Sequence, residues 1–150
     1  MLTTELLPLE VLFDQDETAW LEAMSALAAE GRLAEMDHRN LSEYLADMAK
    51  RDRREVFSRL VTLLTHLLKW AHQPNHRGES WLGTMTEQRR ELRKLLESAV
   101  LRNHAINVLA EAYSDARKQA AAETGLARDT FPLEIEIDLD SLLMGDEDVS

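Results

Sequence analysis

Apolar and polar positions alternate with a helical period through most of this chain, and the apolar stripes divide it into about four main helices. Trp20, Met24, Leu27 and Ala28 recur three or four residues apart. With Asp14 and Glu17 as a capping-box pair and Gly31 as C-cap, they predict a first helix near residues 15–30. Asp37 can cap a second, whose stripe reads Leu41, Leu45, Met48, Val56, Leu60, Leu63, Leu67 and Trp70. Lys50, Arg51, Asp52, Arg53 and Arg54 interrupt that stripe for about a turn and a half, which predicts a bend near Asp52. Past the gap, Phe57, Val61, Leu64 and Leu68 form a second stripe, so this helix should pack centrally. Pro74 ends it, because the ring removes an N–H and disfavours helix at Gln73.

Ser80 is placed as the next N-cap, and Trp81, Met85, Gln88, Leu92, Leu95 and Leu96 give a third helix. Ser98 can restart the chain into a fourth, through Leu101, Ala105, Val108, Leu109, Ala112, Tyr113, Ala116 and Ala120 to Gly125. Beyond residue 110 that face is mostly Ala, which lets a neighbouring backbone approach closely. After Phe131-Pro132, Ile135, Ile137 and Leu139 alternate with Glu134, Glu136, Asp138 and Asp140. Alternation at period two is strand-like, but no other segment offers a pairing partner. An extended arm followed by a short turn over Asp140 to Met144 is the expectation, with Asp146-Glu147-Asp148 as a disordered end. The fold expected is therefore all-α, an antiparallel bundle of about four main helices with an extended acidic C-terminal arm: residues 1–132 as the helical domain, 133–150 as the arm.

Composition narrows the class. A 150-residue chain with 45% hydrophobic and 30% charged residues, 5 Gly and 3 Pro fits one soluble, helix-rich domain. It has no Cys, which removes disulfides, thiolate metal sites and cysteine nucleophiles together. Met1-Leu2-Thr3-Thr4-Glu5 carries no basic start or apolar run, and the stretch Leu60 to Ala71 is broken by Thr62, Thr65, His66 and Lys69. No secretory signal, no membrane span and a cytoplasmic location are expected.

The net charge of −11 is unevenly placed: residues 1–47 hold 11 acids and 2 bases, residues 48–128 hold 9 acids and 15 bases, and residues 129–150 hold 8 acids and no base. An acidic start and tail can close on the basic middle, or that middle can meet an anionic partner.

The segment His66-Leu67-Leu68-Lys69-Trp70, followed by Gln73-Pro74, Ser80-Trp81 and Gln88-Arg89, resembles the bacterial family catalogued as domain of unknown function number twenty-nine. Asn40-Leu41 with Glu43 and Asp47, then Ala112-Tyr113, Ala116-Arg117, Glu123-Thr124 and Phe131-Pro132, follow in the same order, so the resemblance runs from about Asp14 to Leu143. It implies one all-helical domain and brings no reaction, substrate or cofactor. The chain departs from the family pattern at Ala49, Ala99 and Ile135-Glu136-Ile137, where Gly, Pro and Cys-Pro are frequent.

Candidate chemistry is sparse. Arg59, Thr62, His66, Lys69 and Gln73 fall on one helical face, so His66 beside Lys69 is a candidate base, or else a hydrogen-bonded contact between helices. Gln88, flanked by Arg89, lies within an apolar stripe and needs partners for its amide, for which His66, Tyr113 or a backbone carbonyl is within reason. Trp70 and Trp81 bracket the Pro turn as a candidate aromatic pair. Glu43 and Asp47 form a candidate acidic pair, but a di-iron bundle needs two Glu-x-x-His motifs and Glu35 to His38 supplies one, so neither metal nor cofactor is expected. Lys50, Arg51, Arg53 and Arg54, with Arg90, Arg93 and Lys94, are candidates for anion binding. These features predict a non-catalytic interaction or scaffold module whose partner is another protein or a second copy, a homodimer through the Ala-rich face included. The alternatives are a nucleic-acid-associated protein whose basic middle is screened by its tail, and a hydrolase using a metal or His66 with Glu43 or Asp47.

Overall fold

The computed structural model describes residues 7–145. Among them lie six α-helices and no strand: α1 (Leu9–Gln15), α2 (Glu17–Ala29), α3 (His38–His72), α4 (Glu79–Leu95), α5 (Ala99–Thr124) and α6 (Leu139–Met144). No helix among the described residues is long and apolar enough to cross a membrane. The expectations for Met1 to Glu5 and for Asp146-Glu147-Asp148 fall outside the described residues. The chain separates into two compact units, Met1–Ala49 and Lys50–Ser150, with α3 contributing to both.

In the first unit the helix starts one residue pair later than the capping-box reading placed it. Asp14 sits inside α1, and Asp16 caps α2 by accepting from the Ala19 N–H at 3.1 Å. The short α1 went unread because its apolar positions, Leu9, Leu12 and Phe13, span barely two turns. Trp20 is fully buried, edge-on to Phe13 at 4.8 Å and 5.7 Å from the Tyr44 ring. Its indole Nε1 donates to the buried Asp37 carboxylate at 3.1 Å. The same carboxylate starts α3, accepting from the Asn40 backbone N–H at 3.3 Å and the Asn40 side-chain amide at 2.7 Å. Burial works to raise the Asp37 pKa, and the Asn40 and Trp20 hydrogen bonds with the Arg39 charge outweigh it, leaving the carboxyl below its ordinary value.

In the second unit, Val56, Leu60, Leu63, Leu64 and Leu68 of α3 form one core with Met85 and Leu92 of α4, Ala105, Leu109, Ala112, Ala116 and Ala120 of α5, and Leu139, Leu142 and Leu143 of α6. The helix α3 runs without a break from His38 to His72, through the charged residues Lys50 to Arg54. Arg and Lys are good helix formers, so losing the apolar stripe for a turn removes packing without ending the helix. The helix ends before Pro74, which opens a 3-10 turn over Pro74–His76.

Gly78, not Ser80, occupies the N-cap of α4; Ser80 lies within the helix and its carbonyl accepts from the Thr84 hydroxyl at 3.0 Å. Ser98 caps α5 through the Leu101 N–H at 3.3 Å, and Gly125, at φ +76°, closes it in the left-handed region that suits glycine. The turn expected at Asp140 to Met144 is a helix, because Asp138 caps it by accepting from the Ser141 N–H at 2.8 Å.

Candidate functional site

The polar stripe of α3 is engaged along its whole length. Arg59 donates from Nη1 to the Gln88 Oε1 at 3.1 Å and from Nε to Glu55 at 2.9 Å, so Arg59 supplies the partner that Gln88 requires. The His66 Nδ1 donates to the Thr62 carbonyl one turn back at 2.9 Å. Lys69 lies 4.9 Å from the centre of the Trp81 ring and 3.4 Å from Glu123. Trp70 holds a different cation: Arg77 sits 5.0 Å over its ring and donates to its carbonyl at 2.8 Å. Gln73 closes the helix, its N–H bonded to the Lys69 carbonyl at 2.8 Å. The two indoles bracketing the turn therefore each carry a cation–π contact, and Lys69 ties α3 to both α4 and α5.

The basic positions of α4 divide into two sets. Arg89 is 4% exposed and donates from Nε to the Leu142 carbonyl at 2.8 Å. Arg93 reaches the Leu143 carbonyl through Nε at 3.1 Å and Nη2 at 2.9 Å. Both cations thus meet the last carbonyls of α6, where unsatisfied acceptors and the helix dipole favour positive charge. Burial, with the Arg93 charge beside it, lowers the Arg89 pKa. Arg102 pairs with Asp140 at the other end of the same short helix. Arg90 and Lys94 point to solvent and share Glu91.

Tyr113 is drawn into fixing the segment that follows α5. Its hydroxyl donates to the Pro132 carbonyl at 2.7 Å, and Arg117 reaches the Arg128 carbonyl at 2.9 Å and the Phe131 carbonyl at 3.3 Å. Phe131 is buried, with the His72 ring edge-on at 4.9 Å. Burial pushes the Tyr113 phenol above its ordinary pKa, opposed by the Arg117 charge and reinforced by Glu136.

Under this segment lies a cavity of about 360 Å³ whose floor is Leu64, Leu67, Leu68 and Ala71 of α3 and whose roof is Pro132 to Ile137, without Leu133. Sequence reasoning missed it, since His72 and Ile135 have no polar periodicity to flag them; the available signal was Ile135 and Ile137 alternating with acids opposite a doubly apolar helix. A second hollow of about 270 Å³ brings Arg53, Arg54 and Phe57 of α3 beside His104, Val108 and Glu111 of α5. Lys50 and Arg51 lie exposed one turn earlier. Glu43 and Asp47 are exposed on α3, and no group of three or more His, Asp or Glu side chains among the described residues is placed to hold a metal ion.

Among protein families, the model described as Domain of unknown function DUF29 matches residues 12–146. No curated protein and no solved structure matches the chain.

Proposed function

The chain belongs to the DUF29 family, whose function is not assigned, and from that premise we propose that it is a non-catalytic protein-interaction module of the bacterial cytoplasm. The observation that carries the reading is where apolar side chains remain in solvent. Ile137 is exposed on the wall of the 360 Å³ cavity, Leu133, next in chain to its lining residues, is 77% exposed, and Met144, farther along the same segment, is 82% exposed. Exposed large apolar side chains gathered beside a concave apolar floor suit a protein partner. The reading takes residues 1–132 as a helical domain, its four main helices antiparallel, and residues 133–150 as an acidic arm. The short links between α3 and α4 and between α4 and α5 support that arrangement.

Self-association through the Ala-rich face of α5 drops out of the proposal, because Ala105, Ala112, Ala116 and Ala120 are fully buried within the chain's own core. Replacing Leu133 and Ile137 together by Asp tests the reading. In-cell cross-linking of the tagged chain should recover a defined partner with wild type and lose it with the variant. An unchanged cross-linking pattern refutes the surface.

Nucleic-acid association is the second reading, and Arg53 and Arg54 favour it, since neither makes an ion pair among the described residues. A labelled oligonucleotide bound with a steep loss of affinity as salt rises would establish it.

A further inference from the structure

We propose that the hollow between α3 and α5 docks the outer face of α1 from a second copy of this chain. The inference rests on the reading of the chain as an interaction module but uses a different surface. The hollow has an apolar floor, Phe57 and Val108, and a basic rim, Arg53, Arg54 and His104, with Glu111 at its edge. Among the described residues neither arginine has a carboxylate within ion-pair reach. An occupant must therefore offer apolar side chains interleaved with acids. A long polyanion fits less well, because the net charge of −11 repels it at long range.

The chain itself carries the matching surface. Glu10, Val11 and Asp14 are exposed, and their helical spacing sets them on one side of α1, while Leu7 precedes the helix and lines a hollow with Leu9 and Leu12. Leu9, Leu12 and Phe13, on the opposite side, are half-buried against their own unit. Residues 1–49 hold 11 acids and 2 bases. Glu10 and Asp14 against Arg53 and Arg54, with Val11 against Phe57 and Val108, reproduces the apolar centre and charged rim of a specific interface. Each copy presents one hollow and one stripe, so the contact joins unlike surfaces of two copies.

Salt gives this docking a sign that bulk repulsion cannot imitate. Two chains of net −11 repel, and screening that repulsion strengthens any association. A contact made by acids on arginines weakens instead. Sedimentation velocity of the full chain at about 25 mM and about 500 mM NaCl should show a dimer at low salt that dissociates at high salt.

Arg53→Glu with Arg54→Glu should weaken the dimer at least about tenfold, and Glu10→Lys with Asp14→Lys by a similar factor, while mixing the two variants restores it. Circular dichroism checks that each remains folded, and the exposed Arg54→Glu alone serves where the double change does not. The proposal is overturned by a wild-type chain monomeric at both salts, by association that strengthens with salt, or by folded variants that fail to complement. A monomer that binds a labelled oligonucleotide through Arg54 overturns it in favour of nucleic acid. A monomer that still cross-links its partner through Leu133 and Ile137 overturns only this inference and leaves the interaction reading standing.

Discussion

Arg89 and Leu142 are joined by a 2.8 Å hydrogen bond from a buried guanidinium Nε to a carbonyl in the last turn of α6. The bond converts a basic position of α4 into the anchor of a helix too short to hold itself together in water. Arg89→Met keeps the volume of the stem but removes the charged donor to the Leu142 carbonyl, leaving Arg93 alone on the carbonyl end of α6. A charge-assisted bond of this kind contributes about 1.5–3 kcal/mol, so urea denaturation should show a loss of that size. Gly145 gives a second handle, because a Cβ at this position, where φ is +28°, would overlap the Arg89 guanidinium. Gly145→Ala should therefore destabilise comparably and add nothing when combined with Arg89→Met.

Removing residues 133–150 should unfold part of the second unit as well as strip acidic charge. Leu139, Leu142 and Leu143 are buried in the common core, and each buried Leu contributes about 1.5–3 kcal/mol. Even half of that total lowers Tm by about 10 °C. The measurement is a thermal melt of the truncated chain beside wild type, and an unchanged Tm would show that α6 packs without contributing stability. Any gain in nucleic-acid binding on truncation has to be compared with Arg53→Glu/Arg54→Glu in the intact chain, since exposed core alone can bind nonspecifically.

Tyr113 should make the second unit sensitive to alkali. Its folded pKa lies above that of a free phenol, with burial as the main cause, so the folded state holds the proton more tightly than the unfolded state. The contribution is present in full below the unfolded phenol pKa, near 10, and is lost as pH rises through the folded value. Tyrosinate absorbance should resolve one ionisation later than that of a free phenol. Tyr113→Phe should abolish that late step and cost about 1 kcal/mol at neutral pH, for the bond to Pro132.

How far the sequence predicted this molecule depended on the length of each periodic run. The apolar stripes of α3, α4 and α5 run four turns or more, enough to identify type and buried face, and Ser98 and Gly125 could be read as caps because each uses one local geometry. Capping at α2 and α4 was misplaced by one or two residues because Asp14, Asp16, Gly78 and Ser80 all satisfy the same local rule, and only tertiary packing chooses among them. Arg89 read as a polar-site residue and Arg93 as a candidate for anion binding, since nothing within their own helix signals carbonyl ends that arrive about fifty residues later. The same holds for Gln88: its partner Arg59 is on α3, in a stripe read as a candidate for inter-helix hydrogen bonding, but His66, Tyr113 or a carbonyl was expected in that role.

Asp37 should govern the acid limit of the first unit. Its carboxylate is buried and accepts from Trp20, from the Asn40 backbone and from the Asn40 side chain, while its own N–H lies 3.3 Å from the Met24 sulfur. Its pKa is lowered in the folded chain, so the unfolded state takes up the proton first. The stabilisation is therefore complete above the unfolded carboxyl pKa, near 4, and disappears as pH falls through the lower folded value. Trp20 supplies the readout, because an indole bonded to a carboxylate in a dry site changes emission when that bond breaks. Asp37→Asn retains shape and one acceptor but removes the charge. It should flatten the acid transition seen by Trp fluorescence, once Trp70→Phe and Trp81→Phe leave Trp20 as the sole indole. Asp37→Ala should cost more, about 2–4 kcal/mol, because it strands the buried indole N–H and uncaps α3 together. An acid transition unaltered in Asp37→Asn would mean that some other carboxylate sets the limit, and would separate the geometry of this cap from its electrostatics.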